Sequence, residues 1–168
     1  MRHLVVLIFF VLCALIACGQ AVAAQLDATI EASLLAEVES ALAATRGAVE
    51  NISVDDLGLT YRDGKQVDAL RQIVLDWAKL GHQHLANTRR SPGVESAVAL
   101  LTGLSELRIG VRDFSSALEH VGATSESAAA VRAAIPFIDL VIKLDSVSSK
   151  IDRRVHAITV AADVALKK

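Results

Sequence analysis

Residues 137–165, FIDLVIKLDSVSSKIDRRVHAITVAADVA, decide how the chain folds. Phe137, Val141, Leu144, Ser148, Ile151, Val155, Ile158, Ala162 and Ala165 fall at alternating steps of four and three. That heptad spacing predicts a long helix laying one seam against other helices. Leu140 and Val147, with Ile138 and Ile142, widen the apolar face in its first half, leaving Asp139, Lys143, Ser146 and Lys150 for water. A helix apolar around most of its circumference is surrounded by others, so this one is expected to be the most buried. Phe137, Ile138, Val141, Ile142 and Leu144 also make a candidate interaction surface, for a protein partner or a second copy.

Upstream of this stretch, Pro136 removes a backbone donor and crowds the carbonyl four residues earlier. A restart there would leave Ile135 as an N-cap that satisfies no backbone group. One kinked helix from about Ser125 to Leu166, capped by Thr124 or Ser125, is therefore expected. Its first part, Ser125 to Ile135, would extend past the end of the fold or lie over it as a lid.

Three more helices precede it. The third shows the most regular spacing, with Ala97, Leu100, Leu104, Leu107, Val111, Phe114, Leu118 and Val121 as its inner seam. Ser91 and Pro92 suit its start and Gly122 its end. Gly103 and Gly110, on one face beside that seam, would let a neighbour approach closely. The second helix is expected to open on an Asp63/Gln66 capping box and to close near Arg89 and Arg90. Its inner positions read as Leu70, Ile73, Trp77, Leu80 and His84, with Val67 and Val74 in support. The first helix, from Gln25 to about Asn51, turns Leu35, Val38, Leu42, Thr45, Val49 and Ile52 inward, with Leu26, Ile30 and Leu34 continuing the apolar face toward its start. Four helices joined by short turns and one longer loop, Ser53 to Asp63, predict an all-α fold, an antiparallel up-down-up-down four-helix bundle. That loop is where function tends to sit on such a scaffold.

Residues 1–24 read as a secretory signal peptide, with residues 25–168 as a single helical domain. Arg2 and His3 precede an apolar run from Leu4 to Ala17, and small residues lead to cleavage after Ala23 or Ala24. Leu15, Ile16, Ala17 and Cys18 also resemble the lipobox of bacterial lipoproteins, which implies lipidation at Cys18 and a membrane tether. The expected location is therefore periplasmic or extracellular, with membrane contact only through a lipid at Cys18 or an uncleaved signal. Asn51, Ile52 and Ser53 spell a glycosylation acceptor for a eukaryotic secretory pathway.

Cys13 and Cys18 lie in or beside the leader. Ordinary cleavage leaves no cysteine and a lipobox only a blocked one, so either way the exported domain is expected to have no disulfide, thiolate site or cysteine nucleophile. Losing the one positive charge of Arg2 takes the formal charge from −2 to −3, which argues against nucleic acid as a partner. The aromatic side chains left, Tyr61, Trp77, Phe114 and Phe137, are too scattered for a base-stacking platform.

Nor does the sequence point to catalysis, a metal or any other cofactor. A di-metal bundle needs Glu three residues before His, yet Lys79, Gly81, Ala117 and Arg153 precede His82, His84, His120 and His156. His84 reads as an inward core histidine, and Asp152 with His156 as a surface pair one turn apart. Arg108, Arg112 and Asp113 on one helix, and Lys150, Arg153 and Arg154 on another, read as solvated faces.

The expected function is thus that of an exported, non-enzymatic helical-bundle protein acting as a structural, adaptor or envelope-associated interaction module. One alternative is a carrier holding an apolar small molecule between helices. A second is a membrane-tethered lipoprotein whose role the sequence does not specify.

Overall fold

A computed structural model describes residues 30–166, with side chains as far as Val160. The leader, its cleavage sites and Cys18 lie outside the described residues. Helix α1 spans Ala32–Glu50, a 3-10 turn covers Val54–Leu57, and α2 spans Tyr61–Arg90. Helix α3 follows over Val94–Thr124 and α4 over Ala128–Leu166, with no strand among the described residues. Each helix packs on two others: α1 on α2 and α4, and α3 on α2 and α4. Among the described residues, four helices thus close a ring around one core, as the heptad patterns require.

The core is the set of apolar seams turned to the ring's centre. Val38, Leu42, Val49, Val67, Val74, Leu100, Leu104, Leu107, Val111, Phe114, Leu118, Phe137, Leu144 and Ile151 are all fully buried. Each such aliphatic or aromatic side chain contributes about 1.5–3 kcal/mol by leaving water. Phe114 and Phe137 meet edge to face at 5.1 Å between ring centroids. The whole expected seam of α3 is buried, and α3, not α4, is the most enclosed helix among the described residues. On α4, by contrast, Ile138 and Ile142 face solvent.

Helix α2 is rotated from its expected face. Its buried residues are Val67, Val74, Ala78, Gly81, Leu85 and Thr88, whereas Ile73 is exposed and Trp77, Leu80 and His84 are half-buried. Close approach explains the rotation. A Cβ on Gly81 would stand 2.8 Å from Leu42 Cδ2, so the small residues of α2 occupy the tight seam against α1. The bulky Trp77 and His84 then fall over Gly110 and Gly103 of α3, the two glycines expected to admit a neighbour. Helix α1 keeps its expected face, with Leu34, Val38, Leu42, Thr45 and Val49 buried; Ala41 joins them while Leu35 and Ile52 are half-buried.

Helix starts also differ from their expected positions, and at α2 and α4 a side chain there satisfies a backbone donor. Thr60, not Asp63, caps α2: its hydroxyl oxygen accepts from the Asp63 N–H at 3.2 Å and its O–H donates to Asp63 Oδ2 at 2.8 Å. Helix α3 starts at Val94, because the chain reversal consumes Pro92 and Gly93. Ser96 donates from the first turn to the Ser91 and Gly93 carbonyls at 2.9 and 3.0 Å. At its other end α3 runs past Gly122 to Thr124. There the Ser127 N–H donates to the Gly122 carbonyl at 2.7 Å, around Glu126 in the left-handed region (φ 54°). Ser127, rather than Thr124 or Ser125, caps α4, accepting from the Ala130 N–H at 3.2 Å.

No lid forms from the Ser125 to Ile135 segment. Ala130 and Ala134 are fully buried, Val131 packs on Gly122, and the Ser115 hydroxyl donates to the Ala134 carbonyl at 3.2 Å. Helix α4 continues through Pro136. The two connections at this end are tied together. Ser125 donates to Asp63 Oδ2 at 3.2 Å, Ser127 donates to the Leu57 carbonyl, and Leu57 itself is buried.

Candidate interaction surface on the last helix

Helix α4 carries two parallel apolar tracks. Ala130, Ala134, Phe137, Val141, Leu144, Ser148 and Ile151 turn inward, and all but the half-buried Val141 are buried. Val131, Ile135, Ile138 and Ile142 form the second track, at steps of four, three and four. Their exposures are 40, 60, 52 and 63 %, so each offers branched aliphatic surface to solvent. At 1.5 Å rise per residue the second track runs about 17 Å along the helix.

The expected interaction surface is therefore divided. Phe137 and Leu144 belong to the core, Val141 lies at its edge, and only Ile138 and Ile142 are accessible. Ile135 and Val131 complete the outer stripe and were missing from the sequence expectation. Their signal in the sequence is a second heptad track that runs across Pro136 beside the inner seam.

Beside the stripe lies a groove of about 600 Å³ between α1 and α4. Ser33, Ala36 and Ser40 of α1 form its shallow wall, and Ile142, Lys143 and Val147 line the α4 side. Ion pairs cross further along the same two helices. Lys150 pairs with Glu37 and Arg154 with Glu31, while Lys143 Nζ donates to Ser40 at 3.0 Å. Two cations of the expected basic cluster are thereby matched within the chain. Arg108 likewise pairs with Asp145 at 2.6 Å, and Arg112 with its neighbour Asp113 at 3.2 Å. Arg132 and Asp139, flanking the stripe, pair with no other described residue.

The loop flagged in the sequence borders a separate hollow of about 680 Å³. Three of the charges that line it have neighbours within the chain. Arg71 binds Asp68 at 3.0 Å and the Val49 carbonyl at 3.2 Å, and Lys65 lies 4.8 Å from the centroid of the Tyr61 ring. Asn51 is exposed at the end of α1.

The chemical candidates are not brought together. His84 is half-buried beside Gly103, His82 is half-buried, and His120 and His156 are exposed. No hydrogen bond or ion pair joins Asp152 to His156 among the described residues, which also hold no group of three His, Cys, Asp or Glu able to bind a metal. No described helix is long and apolar enough to cross a membrane. No protein-family model matches the chain, and neither a curated protein nor a solved structure matches it.

Proposed function

We propose that this chain is an exported, non-enzymatic helical-bundle protein that works as an interaction module through the outer face of α4. One observation carries the reading: four branched aliphatic side chains in heptad register, all at least 40 % exposed, on a helix whose opposite face is core. Scattered exposed aliphatics are ordinary, whereas a contiguous helical stripe is the shape a second helix covers. Export is proposed from the leader, and a lipid at Cys18 would place the bundle at a membrane surface.

The antiparallel up-down-up-down order belongs to the same proposal. Supporting it, Arg89 meets Glu39 while Arg71 meets Val49, and Trp77 lies over Gly110 while His84 lies over Gly103. Arg108 meets Asp145 and Ser115 meets Ala134, and Lys143 reaches Ser40 while Arg154 reaches Glu31. In every pair one number rises as the other falls. A bend in α4 at Pro136 is proposed because the ring leaves the Arg132 carbonyl without its helical donor.

A photo-crosslinking residue at position 138 in the producing cell tests the interaction reading. Crosslinks are expected from position 138 and not from exposed Arg62, on α2. Equal or absent labelling at both positions would reject it. Intact mass of the exported chain tests the leader: a start at Ala24 or Gln25 without acyl chains would eliminate the tether. The carrier alternative has only the open α1–α4 groove in its favour.

A further inference from the structure

We propose that the outer stripe of α4 pairs antiparallel with the same stripe of a second copy of this chain, Arg132 of each copy facing Asp139 of the other. This rests on the interaction-surface reading and names its occupant. By their spacing, Val131, Ile135, Ile138 and Ile142 take heptad positions d, a, d and a. An antiparallel seam stacks a on d of the opposite helix. Ile135 then meets Ile138 of the other copy, Val131 meets Ile142, and each layer is closed by two branched aliphatics. The two-fold axis crosses α4 between Pro136 and Phe137. A two-fold interface uses one patch twice, so the patch must complement itself. This one does.

The charges select the direction. Arg132 and Asp139 each follow a d residue, which puts both on one flank of the stripe, two helical turns apart. In an antiparallel pair that flank faces its own symmetry mate, so the Arg132–Asp139 contact forms twice. Both residues are exposed and unmatched by other described residues. The other flank carries Ala134 and Val141, which bring no like charges together. A parallel pairing would set Arg132 and Asp139 against those uncharged positions and leave them unmatched. About 17 Å of stripe falls short of the ~800 Å² per partner of a standard interface, so the pairing is reversible and favoured at high concentration.

Sedimentation equilibrium of the purified protein across a range of concentrations tests this. The wild type should pass from monomer to dimer. Arg132→Asp and Asp139→Arg should each raise the dimer Kd by about tenfold, because one substitution makes two like-charge contacts. Combining R132D with D139R should restore it to within about twofold. Ile138→Asp should abolish the dimer while circular dichroism keeps its helical signal. Single swaps without effect, or a double swap without rescue, overturn the antiparallel register. A wild type monomeric at every concentration overturns the second copy as occupant. In that case crosslinks from position 138 to another protein keep the broader reading, and crosslinks to none reject both.

Discussion

The Trp77 ring occupies the space that a side chain at position 110 would need. A Cβ on Gly110 would stand 2.5 Å from both Cε3 and Cζ3 of that ring. Alanine gains up to ~1 kcal/mol over glycine in a helix interior. Overpacking against a rigid ring costs about 1–3 kcal/mol. Gly110→Ala should therefore lower stability by about 1 kcal/mol in urea unfolding, the packing penalty exceeding the propensity gain. Adding Trp77→Leu should make the alanine substitution less costly than it is in the wild-type background.

Gly47 is the contrasting case, because no atom of the described residues lies within 4 Å of a Cβ built there. Gly47→Ala should stabilise the chain by roughly 0.5–1 kcal/mol, read as a raised urea midpoint at unchanged slope.

Glu126 holds the left-handed position between α3 and α4, at φ 54°. A side chain there costs about 1–2 kcal/mol that glycine does not incur, although glycine also gains entropy when unfolded. Glu126→Gly should raise stability by ~0.5–1 kcal/mol, and Glu126→Val should lower it. Thermal unfolding of the two variants provides the comparison.

Ser148 points its hydroxyl into the interior of the bundle, where Oγ has no hydrogen-bond partner among the described residues. A buried, unmatched hydroxyl costs about 1–3 kcal/mol. Ser148→Ala should raise the urea midpoint by an amount equivalent to ~1 kcal/mol, since the alanine leaves only a small void.

Glu39 and Arg89 join α1 to α2 at 2.7 Å. The hydrogen bond from Arg89, and then its charge, hold the Glu39 carboxyl below its ordinary 4.5. The unfolded chain takes up this proton first as pH falls. The stabilisation is thus complete above 4.5 and disappears as pH drops through the lower folded value. Glu39→Gln should lower the melting temperature slightly at neutral pH, and the gap should close below that window. Both side chains are well exposed, so added salt should shrink the difference too.

Helix α3 was legible in the sequence because its large aliphatics coincide with its enclosed face. The inward face of α2 was legible only in part, through Val67 and Val74, since periodicity weighs apolar size whereas its tight seam is built on Ala78 and Gly81. Trp77 and His84 looked inward by their spacing but fill the space left by two glycines on another helix. A single helical pattern does not reveal that pairing. The candidate site divides in the same way. Phe137 and Leu144 read from the sequence both as inner seam and as interaction surface, and only the packed structure gives them to the core and leaves Ile138 and Ile142 outside.

Heptad spacing by itself determined that the chain is helical and that its helices pack side by side, because an apolar stripe every three or four residues can leave water in no other local structure. The rotation of each helix, and hence which of two apolar tracks on α4 stays outside, was decided only in the tertiary structure. A helix can be turned by about one residue at little cost in its own hydrogen bonds. The close fits of Gly81 on Leu42 and Gly110 on Trp77 select one rotation, and these depend on residues far apart in the chain.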